Sequence, residues 1–266
     1  MLKISVLGAS GRMGQAVLKY VVEAKDLELV GALTELSDSA LGRDAGDSAG
    51  LGSLGVELSD NRAQVLEEAD VAIDFTLPTA TQANLSACVE CGTALVVGTT
   101  GLEEKDFQSM REAARQIPLV YGRNMSIGVN VFMDLVGRAA KALGEEYDVE
   151  ILDAHHRQKV DAPSGTALAL GEEVAKAKGR TLEELGVQIR VGQTGPRKPD
   201  SVGFSVIRAG NIVGDHSVLF AAPEERIELV HRAADRKTFA RGALRAAMWL
   251  RGKSPGFYTM RDVLGL

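Results

Sequence analysis

Long apolar runs are missing from this sequence. No apolar stretch in the 266 residues approaches the roughly 20 residues that a helix needs to cross a bilayer, so a membrane protein is not expected. The N-terminus, MLKISVLGAS, enters a short strand-like run that ends in glycine. It has neither the longer apolar stretch nor the cleavage signal of a secretory leader. We therefore expect a cytoplasmic protein.

The sequence has no excess of basic charge and only two cysteines. Lys and Arg number 30 against 36 Asp and Glu, a formal net charge of −6, which repels the phosphates of nucleic acids. The two cysteines, Cys88 and Cys91, lie inside an apolar-periodic segment, which is typical of ordinary helix cysteines rather than of an exposed redox pair. One C-x-x-C also supplies only two of the four ligands of a structural zinc. We predict no nucleic-acid partner and no metal or redox site at these cysteines.

The first half of the chain alternates short apolar runs with longer amphipathic ones. Strand-like runs occupy residues 3–8, 27–33, 71–75, 94–98 and 118–122. Helical periodicity is found from Met13 to Ala24 and in parts of 79–91 and 103–116. Thr100 and Glu103 have the spacing of a capping box that opens the last of these helices. Repeated strand–helix–strand units predict a parallel sheet with helices on both faces.

After about residue 126 the pattern changes. An amphipathic run at 128–143 and a strand at 147–154 precede a helix at about 164–178. Strand-like runs then follow at 187–191, 202–210, 213–222 and 225–233, with few helical patterns between them, which predicts a mostly antiparallel or mixed sheet. The end of the chain returns to an amphipathic helix and a short tail. The length allows one or two domains, and we predict two, residues 1–126 plus 237–266 and an inserted α+β domain at 127–236.

A glycine-rich turn follows the first predicted strand. Gly8, Gly11 and Gly14 in VLGASGRMGQAV permit a tight turn, close approach of a pyrophosphate and close packing of helix on strand. Glu35 follows the second strand about 20 residues further on, where a carboxylate meets the ribose hydroxyls of a dinucleotide. The alternative to cofactor binding is a purely structural turn followed by an ordinary surface glutamate. The order of these elements favours an α/β, Rossmann-like dinucleotide-binding domain.

Three later strands end in small and hydroxyl residues. These segments are DFTLPTAT after residue 73, GTTG at 98–101 and GRNMS at 122–126. The carboxyl ends of parallel strands line one crevice, where such residues suit close packing against nicotinamide and ribose. They suit ordinary loops equally well.

Two of the four histidines are adjacent, in the stretch DAHHRQKVDAPSGTA at 153–167. Adjacent side chains diverge on a strand or a helix, so His155 and His156 make a poor metal pair; two partly exposed loop histidines are the simpler alternative. Residues 163–166, Pro-Ser-Gly-Thr, open a helix whose N-terminus favours an anion such as a carboxylate. Lys159 and the histidines would supply a proton near neutral pH and a second positive charge. The stretch favours a dinucleotide-dependent enzyme that acts on a small carboxylic acid without a metal.

Five motifs together resemble the bacterial 4-hydroxy-tetrahydrodipicolinate reductase family, also called dihydrodipicolinate reductase, from end to end. They are GASGRMG near the N-terminus, DFT at 74–76, VVGTTG at 96–101, HHRQKVDAPSGTA at 155–167 and the ending FYTMRDVLGL. The resemblance implies reduction of a cyclic dicarboxylic imine by NADH or NADPH, with loss of water, on the route to diaminopimelate and lysine. It implies a dinucleotide-binding first domain. The second domain would bind substrate and assemble a homotetramer through its sheet.

The resemblance also implies roles for individual residues. His155 would be the proton donor or acceptor, Lys159 a proton donor and His156 a substrate contact. Gly165 and Thr166 would hold a substrate carboxylate. The implied cofactor contacts are Gly8, Ala9, Ser10, Gly11, Arg12 and Met13 at the pyrophosphate, Glu35 at the adenosine ribose, Gly98, Thr99 and Thr100 at the nicotinamide, and Gly122, Arg123, Asn124 and Met125 in a loop over the cofactor.

Two departures from the family pattern, at residues 36 and 123, and one arginine outside the motifs qualify these roles. Leu36 stands where some members have an arginine able to meet a 2′-phosphate, which predicts that NADH is used at least as well as NADPH, although Arg12 can help with a phosphate. Arg123 stands where a small residue is expected. Arg236 is a candidate for the second substrate carboxylate and equally a plain surface arginine.

Two other functions fit part of the sequence. One is an oxidoreductase of the same architecture that acts on another small acid, and the other is a dinucleotide sensor without turnover. A sensor would keep the glycine turn and Glu35 but has no need of His155 or Lys159. The His-His-x-x-Lys and Ser-Gly-Thr pattern therefore favours the reductase.

Overall fold

The computed structural model describes residues 1–266, which divide into two compact units, residues 1–127 with 237–266 and residues 128–236. The strands up to residue 121 are β1 (Leu2–Leu7), β2 (Leu27–Leu33), β3 (Leu58–Ser59), β4 (Val71–Asp74), β5 (Ala94–Val97) and β6 (Pro118–Tyr121). The helices in the same part of the chain are α1 (Arg12–Glu23), α2 (Ala45–Ser48), α3 (Arg62–Leu66), α4 (Thr81–Cys91) and α5 (Glu104–Ala113).

The rest of the chain contains five helices, the strands of a second sheet and one further strand of the first. The helices are α6 (Ile127–Leu143), α7 (Gly165–Ala177), α8 (Leu182–Leu185), α9 (Lys237–Leu250) and α10 (Met260–Leu264). The strands are β7 (Asp148–His155), β8 (Gly186–Val187), β9 (Val202–Arg208), β10 (Gly214–Ala221), β11 (Arg226–Ala233) and β12 (Gly256–Thr259). None of the helices combines the length and the hydrophobicity that a membrane crossing requires.

The first unit is a parallel sheet buried on both faces. Its seven strands run in the order β3-β2-β1-β4-β5-β6-β12. Alternate residues of a strand face opposite sides of the sheet; Val96 of β5 lies in a core that includes α1 and α9, whereas Leu95 and Val97 lie in a second core with α4 and α5. A strand buried on both faces reads as a continuous apolar run, which explains why ALVV at 94–97 shows no alternation.

The second unit is a mixed sheet covered by helices on one face. The order is β11-β10-β7-β9-β8, with antiparallel pairing from β11 to β7 and parallel pairing from β7 to β8. Val149 and Ile151 of β7 lie in a core with residues of α6 and α7. Leu152 points to the opposite face, where it is 37% exposed. The predicted combination of a Rossmann-like sheet and a mixed second sheet is confirmed.

Three local predictions are wrong. Glu103, not Thr100, is the N-cap of α5, and Asp106 completes the capping box; Asp106 offers a carboxylate three residues after Glu103, a spacing that also satisfies the motif. The predicted strand at 187–191 is limited to β8, which ends at Val187. The predicted tail contains β12, which pairs with β6 in parallel and so extends the first sheet.

Candidate active site

The glycine-rich turn lies at the carboxyl end of β1, next to β4, where the strand order of the first sheet reverses. Gly8 has a φ of +82°, and a Cβ there would lie 3.1 Å from the carbonyl oxygen of Phe75. A Cβ at Gly14 would lie 2.1 Å from the carbonyl oxygen of Gly8, so only glycine lets α1 pack this closely on the turn. Gly11 is the N-cap of α1 and makes no side-chain cap. The first amides of the helix are therefore suited to an anion.

Ser10 connects this turn to the end of β2. Its hydroxyl is 2.7 Å from the Thr34 hydroxyl, which donates to Asp38 Oδ2 at 2.7 Å. Hydrogen bonds from Ser10, from the amide of Ala40 and from Thr34 lower the pKa of the Asp38 carboxyl. The Glu35 side chain is exposed. Two carboxylates therefore follow β2, one exposed and one tied to the glycine turn.

A buried carboxylate, Asp74, organises the ends of β4 and β5. Its Oδ1 accepts the amide and the hydroxyl of Thr76, both at 2.7 Å, and the hydroxyl of Thr99 at 3.4 Å. Its Oδ2 accepts from Asn84 Nδ2 at 2.9 Å. Burial raises the pKa of Asp74, and these hydrogen bonds offset only part of that effect. Asp74 therefore fixes the loops that carry Thr76 and Thr99.

The other predicted cofactor contacts lie at the ends of β5 and β6. A Cβ at Gly98 would lie 2.3 Å from the Phe75 ring, and one at Gly122 would lie 3.0 Å from Met125 Sδ. Asn124 Oδ1 accepts the amide N–H two residues further on at 2.9 Å. The side chains of Thr100 and Arg123 are exposed, whereas Gly98, Thr99, Gly122 and Met125 are buried. The first unit thus carries these residues at the carboxyl ends of its strands, and their contact with a cofactor stays a prediction.

In the second unit, β7 and β10 bring an aspartate and two histidines together. Asp153 and His155 are two residues apart on β7 and share a face, and His216 of β10 is opposite Asp153 in the antiparallel register. His155 Nδ1 lies 2.7 Å from Asp153 Oδ1, an ion-pair distance, although the ring nitrogen is not aligned on this oxygen as in a regular hydrogen bond. The rings of His155 and His216 meet edge to face with centroids 5.1 Å apart.

The second oxygen of Asp153 contacts two further groups. Its Oδ2 accepts the Ser164 amide at 2.7 Å and Arg208 Nη2 at 3.1 Å. His216 Nε2 is 3.1 Å from Ser164 Oγ and 3.5 Å from Asp153 Oδ1. Burial alone would raise the pKa of Asp153, but contacts with His155, His216, Ser164 and Arg208 outweigh burial and hold this pKa well below its usual range. A buried, ionised carboxylate therefore contacts both an imidazole and the start of α7.

His156 and Lys159 have other partners. His156 Nε2 is 3.3 Å from Arg236 Nη2, and partial burial followed by the Arg236 charge lowers the pKa of His156. Lys159 Nζ forms an ion pair with Asp161 at 2.7 Å, a partner that the sequence does not single out. The adjacent histidines therefore differ: His155 contacts a carboxylate, and His156 contacts a guanidinium.

The N-terminus of α7 is open. Ser164 is the N-cap, and its Oγ accepts the Ala167 amide at 3.2 Å. Gly165 and Thr166 are the first residues of this 13-residue helix, and a Cβ at Gly165 would meet no atom within 4 Å. The positive end of a helix with an unobstructed glycine is suited to a carboxylate.

The sequence predicts no metal, yet Asp153, His155 and His216 offer ligand atoms within 4.8 Å of one another. The Arg208 guanidinium occupies the same carboxylate at 3.1 Å, which disfavours a further cation there. The contact of 2.7 Å between His155 and Asp153 is also shorter than the separation of about 3.3 Å between two ligands of a tetrahedral zinc. We therefore describe this group as an acid–base cluster and assign no metal to it.

Comparison with known proteins identifies relatives over the whole chain. Residues 2–125 match the family model for the N-terminus of dihydrodipicolinate reductase, and residues 128–264 match the model for its C-terminus. A curated 4-hydroxy-tetrahydrodipicolinate reductase from Alkalilimnicola ehrlichii is 52% identical over 264 residues, which cover 99% of each chain.

Solved structures share the fold. Dipicolinate-bound dihydrodipicolinate reductase from Paenisporosarcina sp. TG-14 superposes with a TM-score of 0.78 at 22% identity, over 98% of both chains. Biliverdin reductase from Synechocystis sp. PCC 6803, solved with biliverdin and NADP⁺, has a TM-score of 0.52 at 13% identity and covers 99% of this chain and 95% of that one.

The glycine turn at the switch point of a parallel sheet, in a chain that also carries an acid–base cluster, defines a Rossmann-type oxidoreductase. The matches over both halves show that the chain belongs to the dihydrodipicolinate reductase family. The predicted family and enzyme class are confirmed, and family and fold together imply a nicotinamide cofactor.

Sequence reasoning gives no role to several members of the two polar networks. Asp153 and His155 alternate on one strand, so the sequence does indicate that they share a face. His216 and Arg208 join them only because β10 and β9 flank β7. That strand order is not contained in any local pattern, which is why both residues are missed.

Proposed function

We propose that this chain reduces 4-hydroxy-tetrahydrodipicolinate to tetrahydrodipicolinate with NADH or NADPH and loss of water, in diaminopimelate and lysine biosynthesis. The observation that carries the proposal is the Asp153 carboxylate, which contacts His155 and the first turn of α7 in a chain 52% identical to a curated reductase with this activity. The Asp153 carboxylate thus brings His155, the proton-transfer group, close to the N-terminus of α7, which would bind a substrate carboxylate.

The first unit fits a dinucleotide. Gly8 has a positive φ, the space at Gly14 excludes a Cβ, and the first amides of α1 lack a side-chain cap. This combination suits a pyrophosphate. Gly8 to Met13 would contact the pyrophosphate, Glu35 the adenosine ribose, and the segments 98–100 and 122–125 the nicotinamide half. When bound, the cofactor supplies a hydride.

The second unit supplies the protons and the anion site. Hydride addition to a ring carbon conjugated with the imine leaves electron density that must be protonated, and loss of the 4-hydroxyl as water also requires an acid. His155 and Lys159 fill these roles in the proposal. Gly165 and Thr166 bind one substrate carboxylate, and His156 with Arg236 meets the other. The dicarboxylate dipicolinate, bound in the Paenisporosarcina structure, is the corresponding inhibitor for this chain.

We propose that NADH serves at least as well as NADPH. Leu36 is 75% exposed beside Glu35 and offers no charge to a 2′-phosphate. Asp38 adds a second negative charge after β2, and the same hydrogen-bond network ties it to Ser10. A 2′-phosphate would be repelled by both carboxylates.

We also propose a cytoplasmic homotetramer assembled through the open face of the second sheet. That face mixes apolar and charged side chains and contains a groove lined by Glu150, Leu152, Leu219 and Arg226. Leu152 and Val230 are 37% and 42% exposed there, which suits an interface of the same surface on each copy. Sedimentation of the purified protein tests the stoichiometry, and a monomer at micromolar concentration would exclude the tetramer.

The decisive assay generates the unstable substrate in situ and follows the nicotinamide absorbance with NADH and NADPH in turn. We expect turnover with both, inhibition by dipicolinate, and kcat/KM with NADH equal to or above that with NADPH. Absence of turnover with either cofactor would refute the proposed function. A clear preference for NADPH would refute only the argument from Leu36 and Asp38.

A further inference from the structure

We propose that Asp153 is a positioning residue that holds the His155 imidazole and the N-terminus of α7 in one arrangement. This inference rests on the proposed function, in which His155 transfers a proton and α7 binds a carboxylate. Asp153 is fully buried at the centre of its sheet, since β7 lies between β10 and β9. Its two oxygens face the two parts of the site.

The first oxygen selects which nitrogen of His155 can react. Nδ1 lies 2.7 Å from Asp153 Oδ1, so the carboxylate favours a proton on Nδ1. Nε2 faces Gly214 of β10, where a Cβ would lie 3.0 Å from it. Glycine leaves that nitrogen unobstructed. We therefore assign proton exchange to Nε2.

The second oxygen holds the helix. Asp153 Oδ2 accepts the Ser164 amide at 2.7 Å, and Ser164 Oγ caps α7 through the Ala167 amide at 3.2 Å. Loss of both oxygens would therefore affect the ring and the first turn of α7 together. A side chain that only filled space in the core would hold neither the His155 ring nor the first turn of α7.

The charges around His155 come from three strands and the following turn. Asp153 faces it from β7, His216 from β10 with a ring distance of 5.1 Å, and Arg208 from β9 as its register partner. Ser164, the N-cap of α7 and its contact with the cluster, is uncharged, and His156 and Lys159 follow β7. Asp153 is the negative charge of this group in direct contact with the imidazole.

The test compares Asp153→Asn with His155→Gln and with the double variant. We expect Asp153→Asn to lower kcat by at least about tenfold, a fraction of the 10²–10⁴ that a general acid or base contributes, with a smaller change in KM and none in NADH binding. The pH–rate profile of Asp153→Asn should differ from that of wild type, because the charge in contact with the His155 ring is gone. Because an asparagine oxygen can still accept the Ser164 amide, Asp153→Asn should lower kcat through His155, and the kcat of the double variant should be no lower than that of His155→Gln alone.

Two further variants keep the test informative if Asp153→Asn is unstable. Gly214→Ala introduces a methyl group 3.0 Å from His155 Nε2 without altering a charge, and it should lower kcat while NADH binding is kept. Glu183→Gln, which neutralises an exposed carboxylate of α8, is the control and should retain wild-type kcat.

The outcomes separate this inference from the proposed function. If His155→Gln is slow but Asp153→Asn and Gly214→Ala have wild-type kcat and pH profiles, the positioning role is refuted while the function stands. If the fold-losses in kcat of Asp153→Asn and His155→Gln multiply in the double variant, Asp153 acts independently of His155 and the inference is also wrong. Wild-type kcat in His155→Gln would instead contradict the role given to His155 under the proposed function.

Discussion

Asp74 and Asp153 are both buried aspartates at or near the ends of strands, yet their pKa values move in opposite directions. Asp74 has hydroxyl and amide partners, and burial raises its pKa. Asp153 has a guanidinium and two imidazoles beside it, and its pKa falls despite burial. The partners of Asp153 outweigh its burial and keep that carboxylate ionised, whereas the hydroxyl and amide partners of Asp74 do not outweigh its burial.

The contrast extends to the two units. The first unit builds its candidate site from glycines, amides and hydroxyls, which suit the binding of a large anionic cofactor. The second builds its candidate site from ionisable side chains, which suit proton transfer. Substitutions in the two units should therefore have separable effects on binding and on turnover.

The largest expected effect is on turnover, from the second unit. His155→Gln and Lys159→Ala should each lower kcat by about 10²–10⁴-fold, the usual contribution of a positioned acid or base, and leave NADH affinity within about twofold. Steady-state kinetics and fluorescence titration of NADH measure the two quantities. Lys176→Ala, in the exposed last turn of α7, is the control. Equal losses in kcat and NADH affinity would contradict the division of labour.

Gly14→Ala should produce the complementary defect in the first unit. Its Cβ would lie 2.1 Å from the Gly8 carbonyl oxygen, and overpacking of this kind costs about 1–3 kcal/mol of stability. Because the turn must shift, NADH should bind at least about tenfold more weakly. Gly137→Ala is the matched helical control, since its Cβ would be 3.4 Å from a glutamate oxygen. Unaltered NADH binding in Gly14→Ala would show that the turn does not hold the cofactor.

The two aspartates should differ in how their removal depends on pH. The lowered pKa of Asp153 means that its ionised form stabilises the fold above the unfolded pKa of about 3.9, and this stabilisation is lost as the pH falls towards the folded pKa. The raised pKa of Asp74 has the opposite sign: its contribution is present below about 3.9 and is lost as the pH rises through the folded pKa.

Urea titrations at about pH 3, where an unfolded aspartate is mostly protonated, and at about pH 7 measure this difference. With rising pH, the stability that Asp153→Asn loses relative to wild type should grow, whereas the loss in Asp74→Asn should shrink. Both differences are expected to be smaller than the catalytic effects. If the loss of stability changed with pH in the same direction for both variants, the proposed difference between the two aspartates would be wrong.

The smallest expected effect concerns the cofactor. Leu36→Arg should tighten NADPH binding by about two- to fivefold, because an exposed ion pair contributes about 0.2–1 kcal/mol, and leave NADH binding nearly unchanged. Leu36→Gln is the uncharged control of similar size. An equal gain for both cofactors would mean that the arginine does not act on the 2′-phosphate.

The sequence predicts well whatever depends on local periodicity. The strands at 27–33 and 202–210, the helix that opens after Pro163 and the mixed second sheet are all recognisable from apolar spacing and turn residues. The glycine turn is recognisable because its residues are contiguous. These features are set within a few residues of one another.

Features that depend on long-range pairing are missed. β3 has two residues, too few for a periodic signal. β12 lies at the edge of the sheet and lacks the fully buried apolar run of the equally short β4 and β5. Asp74 finds Asn84 and Thr99 only once β4 and β5 lie side by side. His216 meets Asp153 for the same reason, across β7 and β10.

The return of the chain to the first unit has a consequence for its synthesis. Ala240, Ala243 and Ala247 of α9 are fully buried in the core of that unit, and β12 forms its edge. A ribosome releases the N-terminus first, so the dinucleotide-binding half is translated early and completed last. The inserted unit is contiguous from 128 to 236, so its whole sequence is translated before that of the first unit is complete. The first unit therefore stays incomplete for longest during translation, when chaperones and proteases can reach it.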